Sequence, residues 1–139
     1  MKSSPRVGTV GEFQFIVEQE YIIDFASDGM PAVLSTPKLI GLIERTARQT
    51  LVPFLEADER SVGTEIDLRH LAPTPLGQRV TITTRVVHAE DRAVTFQIEA
   101  RDQQELIARG LHKRAVIRVD SFSSRVQRKA NGSAPPAAK

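Results

Sequence analysis

The chain has 139 residues, 40% of them hydrophobic, which is enough for one domain with an ordinary core; with no cysteine it can hold no disulfide, no thiolate nucleophile and no cysteine-based metal site. Its formal net charge of +2 is a property of the C-terminus, because setting aside Arg125, Arg128, Lys129 and Lys139 lowers the 19 basic residues to 15, against 17 acidic ones. A slightly acidic body with one tyrosine and no tryptophan excludes a nucleic-acid surface, and neither a run of ~20 apolar residues nor an apolar core after the polar start Met1–Arg6 points to a membrane or secretion, so the expectation is a cytoplasmic protein with no membrane partner.

The first predicted element is a strand over Glu12–Val17. Residues 18–34 are mixed, with a turn at Asp28-Gly29-Met30-Pro31. A helix is predicted from Thr36, with Thr36 as N-cap and Pro37 at the first helical position. Leu39, Ile40, Leu42, Ile43, Ala47 and Leu51 give it an apolar stripe, and Pro53 should kink or end its last turn. Glu56 to Arg60 reads as a solvated exit.

Four long strands follow, at Ser61–Leu71, Gln78–His88, Arg92–Arg101 and Glu105–Val119, with turns at 89–91 and 102–104 short enough for antiparallel hairpins. One long helix and about five strands make an α+β domain in which a single sheet face buries the helix. Its bounds are read as 1–130, with 131–139 (NGSAPPAAK) a disordered tail.

Three residues suggest chemistry. Val62, Ile66, Leu68 and His70 share one strand parity, which places His70 at the end of an inward apolar row. Its bland alternative is a core histidine bonded to a carbonyl. Glu44 falls on the helical face of Ile40, Ala47 and Leu51, where a carboxylate must be paired or neutralised. An inward glutamate beneath an inward histidine is an acid/base pair, whereas a Glu44–Arg48 or Glu44–Lys38 contact is the surface alternative. Thr36 lies about two turns, or roughly 12 Å, from Glu44, so the two cannot touch, and its spacing alone favours the capping role.

Other residues are supporting candidates. Gly63 interrupts a β-branched strand, as at a bulge or a close backbone approach, and its N–H could bind an oxyanion. Arg114, in phase with Ala108, Gly110 and His112, needs an anion if buried. His88 and His112 have no constellation and read as structural. No P-loop, GxGxxG, HExxH, GxSxG or metal-ligand spacing is present.

The stretches Leu34-Ser35-Thr36-Pro37-Lys38-Leu39-Ile40-Gly41-Leu42-Ile43-Glu44, Val62-Gly63-Thr64, His70-Leu71-Ala72-Pro73-Thr74-Pro75-Leu76-Gly77 and Gly110-Leu111-His112-Lys113-Arg114-Ala115-Val116-Ile117, in this order, resemble the fluoroacetyl-CoA thioesterase-like family of hot-dog proteins. The likeness covers about residues 5–129. It implies a hot-dog fold, a sheet wrapped around one central helix. It also implies hydrolysis of a small acyl-CoA thioester, a homodimer with active sites near the subunit interface, and no metal or other cofactor. By the same resemblance Thr36, Glu44 and His70 are catalytic, while Gly63, His70 and Arg114 contact the acyl-CoA.

One departure bears on substrate. The fluoroacetyl-specific enzyme closes its site with phenylalanines before the helix, whereas Phe25-Ala26-Ser27-Asp28-Gly29-Met30-Pro31 offers Ser27 and Met30 there. The expected substrate is therefore a small acyl-CoA other than fluoroacetyl-CoA. In the expected reaction His70 and Glu44 handle the proton, and Thr36 is either the nucleophile or an anchor for an attacking water. The rival function is a non-catalytic acyl-CoA binding or sensing protein, which would not need Glu44 and His70 together.

Overall fold

The computed structural model describes residues 1–132. Strand β1 (Val10–Ile16) leads through a 3-10 turn at Gln19–Tyr21 and an irregular segment to helix α1 (Thr36–Leu51), which tightens into a 3-10 turn over Val52–Phe54 around Pro53. Strands β2 (Glu59–His70), β3 (Arg79–Glu90), β4 (Ala93–Arg101) and β5 (Leu106–Arg118) follow, then helix α2 (Val119–Ala130). All strand pairs are antiparallel, in the order β1-β3-β4-β5-β2. The result is the α+β hot-dog arrangement, with α1 held in the concave face of the sheet.

Alternation builds that face. Val80, Ile82, Thr84 and Val86 of β3 and Val94, Phe96, Ile98 and Ala100 of β4 are buried at every second position, and meet Leu39, Leu42, Ile43, Ala47 and Leu51 of α1. Each large apolar side chain here contributes roughly 1.5–3 kcal/mol by leaving water. At Gly110 the backbone of β2 occupies the place of a side chain: a Cβ would collide with the Asp67 carbonyl and Leu68 Cα. β2 pairs only with β5, so its other edge is unpaired among the described residues.

The structure corrects several expectations. The N-cap is Ser35, whose Oγ accepts the Lys38 N–H at 3.3 Å, so Thr36 is already the first helical residue. A bulge between Gly63 and Glu65 re-phases β2, placing Val62 opposite Ala115 but Ile66, Leu68 and His70 opposite His112, Gly110 and Ala108. Val62 therefore faces away from the row that contains His70. Glu59 is no solvated exit: it is buried, with its carboxylate held by the Met1 ammonium at 2.8 Å and by Arg92. A second helix, α2, was not expected. Asp120 near its start and Arg128 and Lys129 near its end complement its dipole. Its Val119, Phe122 and Val126 border a groove with Val62 and Ile117 on the outer face of the sheet. Residues 131–132 form a turn, and the remainder of the predicted tail, 133–139, lies outside the described residues.

Candidate active site

Two clusters lie along the contact between α1 and β2. The first joins the start of α1 to the end of β2. Because Ser35 caps the helix, the Thr36 hydroxyl is free for another partner, and its Oγ1 lies 2.7 Å from His70 Nδ1. His70 Nε2 is buried and has no hydrogen-bond partner among the described residues. Burial pushes the imidazole below its ordinary pKa of 6.5, which keeps it neutral and able to take a proton near neutral pH. Beside Thr36 opens a hollow of about 420 Å³ walled by Ile22, Ile23, Phe25, Pro37 and Lys38.

The second cluster sits at the middle of α1, against the bulge. The Glu44 side chain is 45% exposed at the edge of the apolar stripe, and its Oε2 is 3.7 Å from Arg114 Nη1. Neither Arg48 nor Lys38 pairs with it. The same oxygen presses on Gly63, where a Cβ would collide with it and would come within 3.3 Å of His112 Cε1. Gly63 is thus a close approach as well as a bulge residue. Glu44, Gly63, Thr64, Glu65, Ile66 and His112 line a hollow of about 240 Å³.

Arg114 is buried and its donors are directed inward. Nε–H donates to Ser61 Oγ at 2.9 Å, Nη2 to the Ser61 carbonyl at 2.8 Å, and Nη1 toward the Glu44 carbonyl at 3.4 Å and His112 Nε2 at 3.2 Å. Burial lowers the proton affinity of the guanidinium and Glu44 opposes that loss. His112, read from sequence as an isolated structural residue, is 1% exposed within this network, its Nδ1 2.9 Å from the Glu65 carbonyl. Burial, seconded by Arg114, pushes its pKa down, against the pull of the Glu65 bond and Glu44. His88 is exposed beside Glu90, at 3.3 Å.

The expected Glu44–His70 pair does not form within one chain. Gly63, which Glu44 touches, is seven residues from His70, or roughly 20 Å along a strand. The partners that sequence reading missed are Ser61 and His112; the inner-row parity shared by His112 and Arg114 was the available signal for the second. Among the described residues no group of three or more His, Asp or Glu is arranged to hold a metal ion, and no helix is long and apolar enough to cross a membrane.

Comparison with known proteins gives a consistent picture. Residues 17–120 match the family model described as "Fluoroacetyl-CoA-specific thioesterase". The fluoroacetyl-CoA thioesterase of Streptantibioticus cattleyicolor is 33% identical over 137 residues, which cover 93% of this chain and 97% of that protein. Among solved structures, a point mutant of the fluoroacetyl-CoA-specific thioesterase superposes with a TM-score of 0.84 at 31% identity, covering 92% of this chain and 99% of that one. A Thermus thermophilus thioesterase superfamily member matches at 0.85 with 25% identity, over 95% and 97% of the two chains. A hot-dog-like protein of Thermanaerovibrio acidaminovorans matches at 0.82 with 28% identity, over 88% and 91%.

Proposed function

The chain belongs to the fluoroacetyl-CoA-specific thioesterase family and is a thioester hydrolase, and from that premise we propose that it cleaves a small acyl-CoA at a site built by two protomers. The observation that carries this reading is the 2.7 Å contact between Thr36 and His70, with the far nitrogen of the same ring buried and unpaired. A buried N–H needs an acceptor. Glu44 is beyond reach in the same chain, but β2 is an open edge. Antiparallel pairing of two β2 edges about a two-fold axis at Asp67, with the bulge between Gly63 and Glu65 taking up one residue, sets Gly63 opposite His70 of the partner subunit. It thereby brings Glu44 to that histidine's Nε2. Closing this edge also removes an exposed row of backbone donors and acceptors.

In the proposed reaction Thr36 Oγ attacks the thioester carbonyl carbon while its proton passes to His70 Nδ1. The Nε2–H of the resulting imidazolium donates to the Glu44 carboxylate across the interface. The tetrahedral adduct collapses, the carbon–sulfur bond breaks, and the CoA thiolate takes the proton from His70. Water then gives a proton to the same imidazole and attacks the threonine ester, releasing the acid and restoring Thr36. Thioester and water become acid and thiol, with protein groups as the only catalysts. In this reading the Gly63 N–H steadies the oxyanion, and Arg114, buried beneath Glu44, faces the acyl-CoA. The Phe25–Pro31 segment, with Ser27 and Met30 both exposed, supports an acyl group other than fluoroacetyl. The proposed enzyme is a cytoplasmic homodimer.

The test is released thiol from a panel of short, branched and aromatic acyl-CoAs, followed by kcat and KM of His70→Ala and Glu44→Gln on the best substrate. Loss of a positioned base or of its partner should lower kcat by about 10²- to 10⁴-fold with the fold intact. A folded His70→Ala enzyme at near-wild-type rate would overturn the mechanism, and a Glu44→Gln kcat within about threefold of wild type would remove Glu44 from it.

A further inference from the structure

Arg114 Nη1 is the nitrogen that faces both the Glu44 carboxylate and His112 Nε2. Arginine nitrogens can only donate, so the N–H of Nη1 requires a lone pair on His112 Nε2. On the other side of the ring the Glu65 carbonyl can only accept, so Nδ1 must carry the hydrogen. These two partners together select one state of the ring: neutral, protonated on Nδ1. The groups around it enforce the same choice. Arg114 lies on its own strand and Glu44 on α1; β2 offers the Glu65 carbonyl, while the Glu65 carboxylate is turned outward to Lys113 at 3.9 Å. The neighbour from β4 is the uncharged ring of Phe96, its centroid 6.5 Å away. A protonated ring here would set N–H against N–H beside a buried guanidinium.

We infer that His112 is a positioning residue of the hydrolase: as a fixed neutral acceptor it locks Arg114, and through Arg114 it aims the Glu44 carboxylate over Gly63. Ser61 holds the opposite side of the guanidinium through Oγ and the carbonyl, so the fork cannot rotate while both contacts stand. Glu44 itself is half exposed and on a helix edge, with no second cation within ion-pair distance among the described residues. Its aim therefore depends on a guanidinium that is held from behind. The inference rests on the reading that Glu44 works in the reaction.

Two substitutions separate the two hydrogen bonds of the ring. His112→Asn keeps an amide donor near the Glu65 carbonyl and loses the acceptor for Arg114. His112→Gln puts an amide oxygen near the position of Nε2 and gives up the Glu65 contact. The measurements are kcat and KM of both on the best acyl-CoA, with Glu44→Gln assayed beside them and melting curves for all. The expected result is a kcat at least about tenfold below wild type for Asn, within about threefold for Gln, and KM little changed in either, because aim matters most as charge develops. Equal rates for Asn and Gln, or a slower Gln, would overturn the inference while a slow Glu44→Gln leaves the parent reading standing. A Glu44→Gln enzyme at wild-type rate overturns both. Nitrogen-15 spectra of histidine-labelled wild-type protein at neutral pH give a test that needs no variant to fold. The Nδ1–H neutral tautomer is expected at His112, and an imidazolium or the Nε2–H tautomer there would refute the inference.

Discussion

If each site draws Thr36 and His70 from one protomer and Glu44 from the other, two dead enzymes should revive each other. In a mixed dimer of Glu44→Gln and His70→Ala chains, one site receives both lesions and the other receives neither. The intact site takes Thr36 and His70 from the Glu44→Gln chain and Glu44 from the His70→Ala chain. Random reassociation of equal amounts makes half the dimers mixed, each with one good site of two, so the mixture should reach about a quarter of wild-type activity per protomer. The parents alone should sit about 10²- to 10⁴-fold below wild type, so the rise is far above background. The two chains, carrying different affinity tags, can be co-expressed and the mixed dimer isolated by both tags. Thiol release is then measured against each parent and against wild type, with native mass spectrometry confirming one copy of each chain. A verified mixed dimer that stays at the rate of its parents would refute the shared site, because the separation of Gly63 and His70 along β2 leaves no route to a Glu44–His70 contact within a chain.

Two further outcomes follow from close contacts. Gly63→Ala should lower kcat by about 10²-fold, since the new methyl meets Glu44 Oε2 and the carboxylate must swing aside; a wild-type kcat in the folded variant would show that the aim of Glu44 is immaterial. Glu59 is drawn down to about 2 by the Met1 ammonium first, then by the Glu56 N–H and Arg92, against the opposing effect of burial. A folded value below the ordinary 4.5 means that its stabilisation is complete above about pH 4.5 and is lost as the pH falls toward 2. The Tm difference between wild type and Glu59→Gln should therefore be greatest near neutrality and close as acid is added, and a difference constant from pH 7 to 2 would contradict that origin.

The fold was legible because α1 and the four long strands carry unbroken periodicity over many residues. The site was legible in its residue types and less so in its partners. Ser35 and Thr36 are adjacent hydroxyls before the same proline, and nothing in their spacing tells which one caps; the strand geometry that delivers His70 decides it. Strand parity placed His70 correctly and Val62 wrongly, because a bulge changes phase without changing composition. Glu44 and His70 both face the helix–sheet contact, but parity says nothing about distance along a strand. Helix α2 lies inside the expected domain bounds but was given no element, because its residues are mostly basic and polar, although Val119, Phe122 and Val126 already had helical spacing. Glu59 could not be assigned a partner at all, since one of its cations is 58 residues away in sequence.

The bulge at Gly63–Thr64 also sets which changes β2 can survive. Seven is an odd interval, and in a regular strand residues an odd number apart face opposite sides. Gly63 and His70 nonetheless face the same helix, and their partners on β5, Arg114 and Ala108, are an even six apart. The bulge thus takes up the extra residue of β2 as slack in a belt takes up surplus length. Between these two points the strand can lose one residue without changing which side chains face the helix. Deleting a single residue there, Thr64 for instance, would leave every other residue of the sequence in place. It would also leave Gly63 and His70 six apart on a regular strand, both still facing α1, whereas deleting a second residue would set them an odd five apart and turn one of them outward.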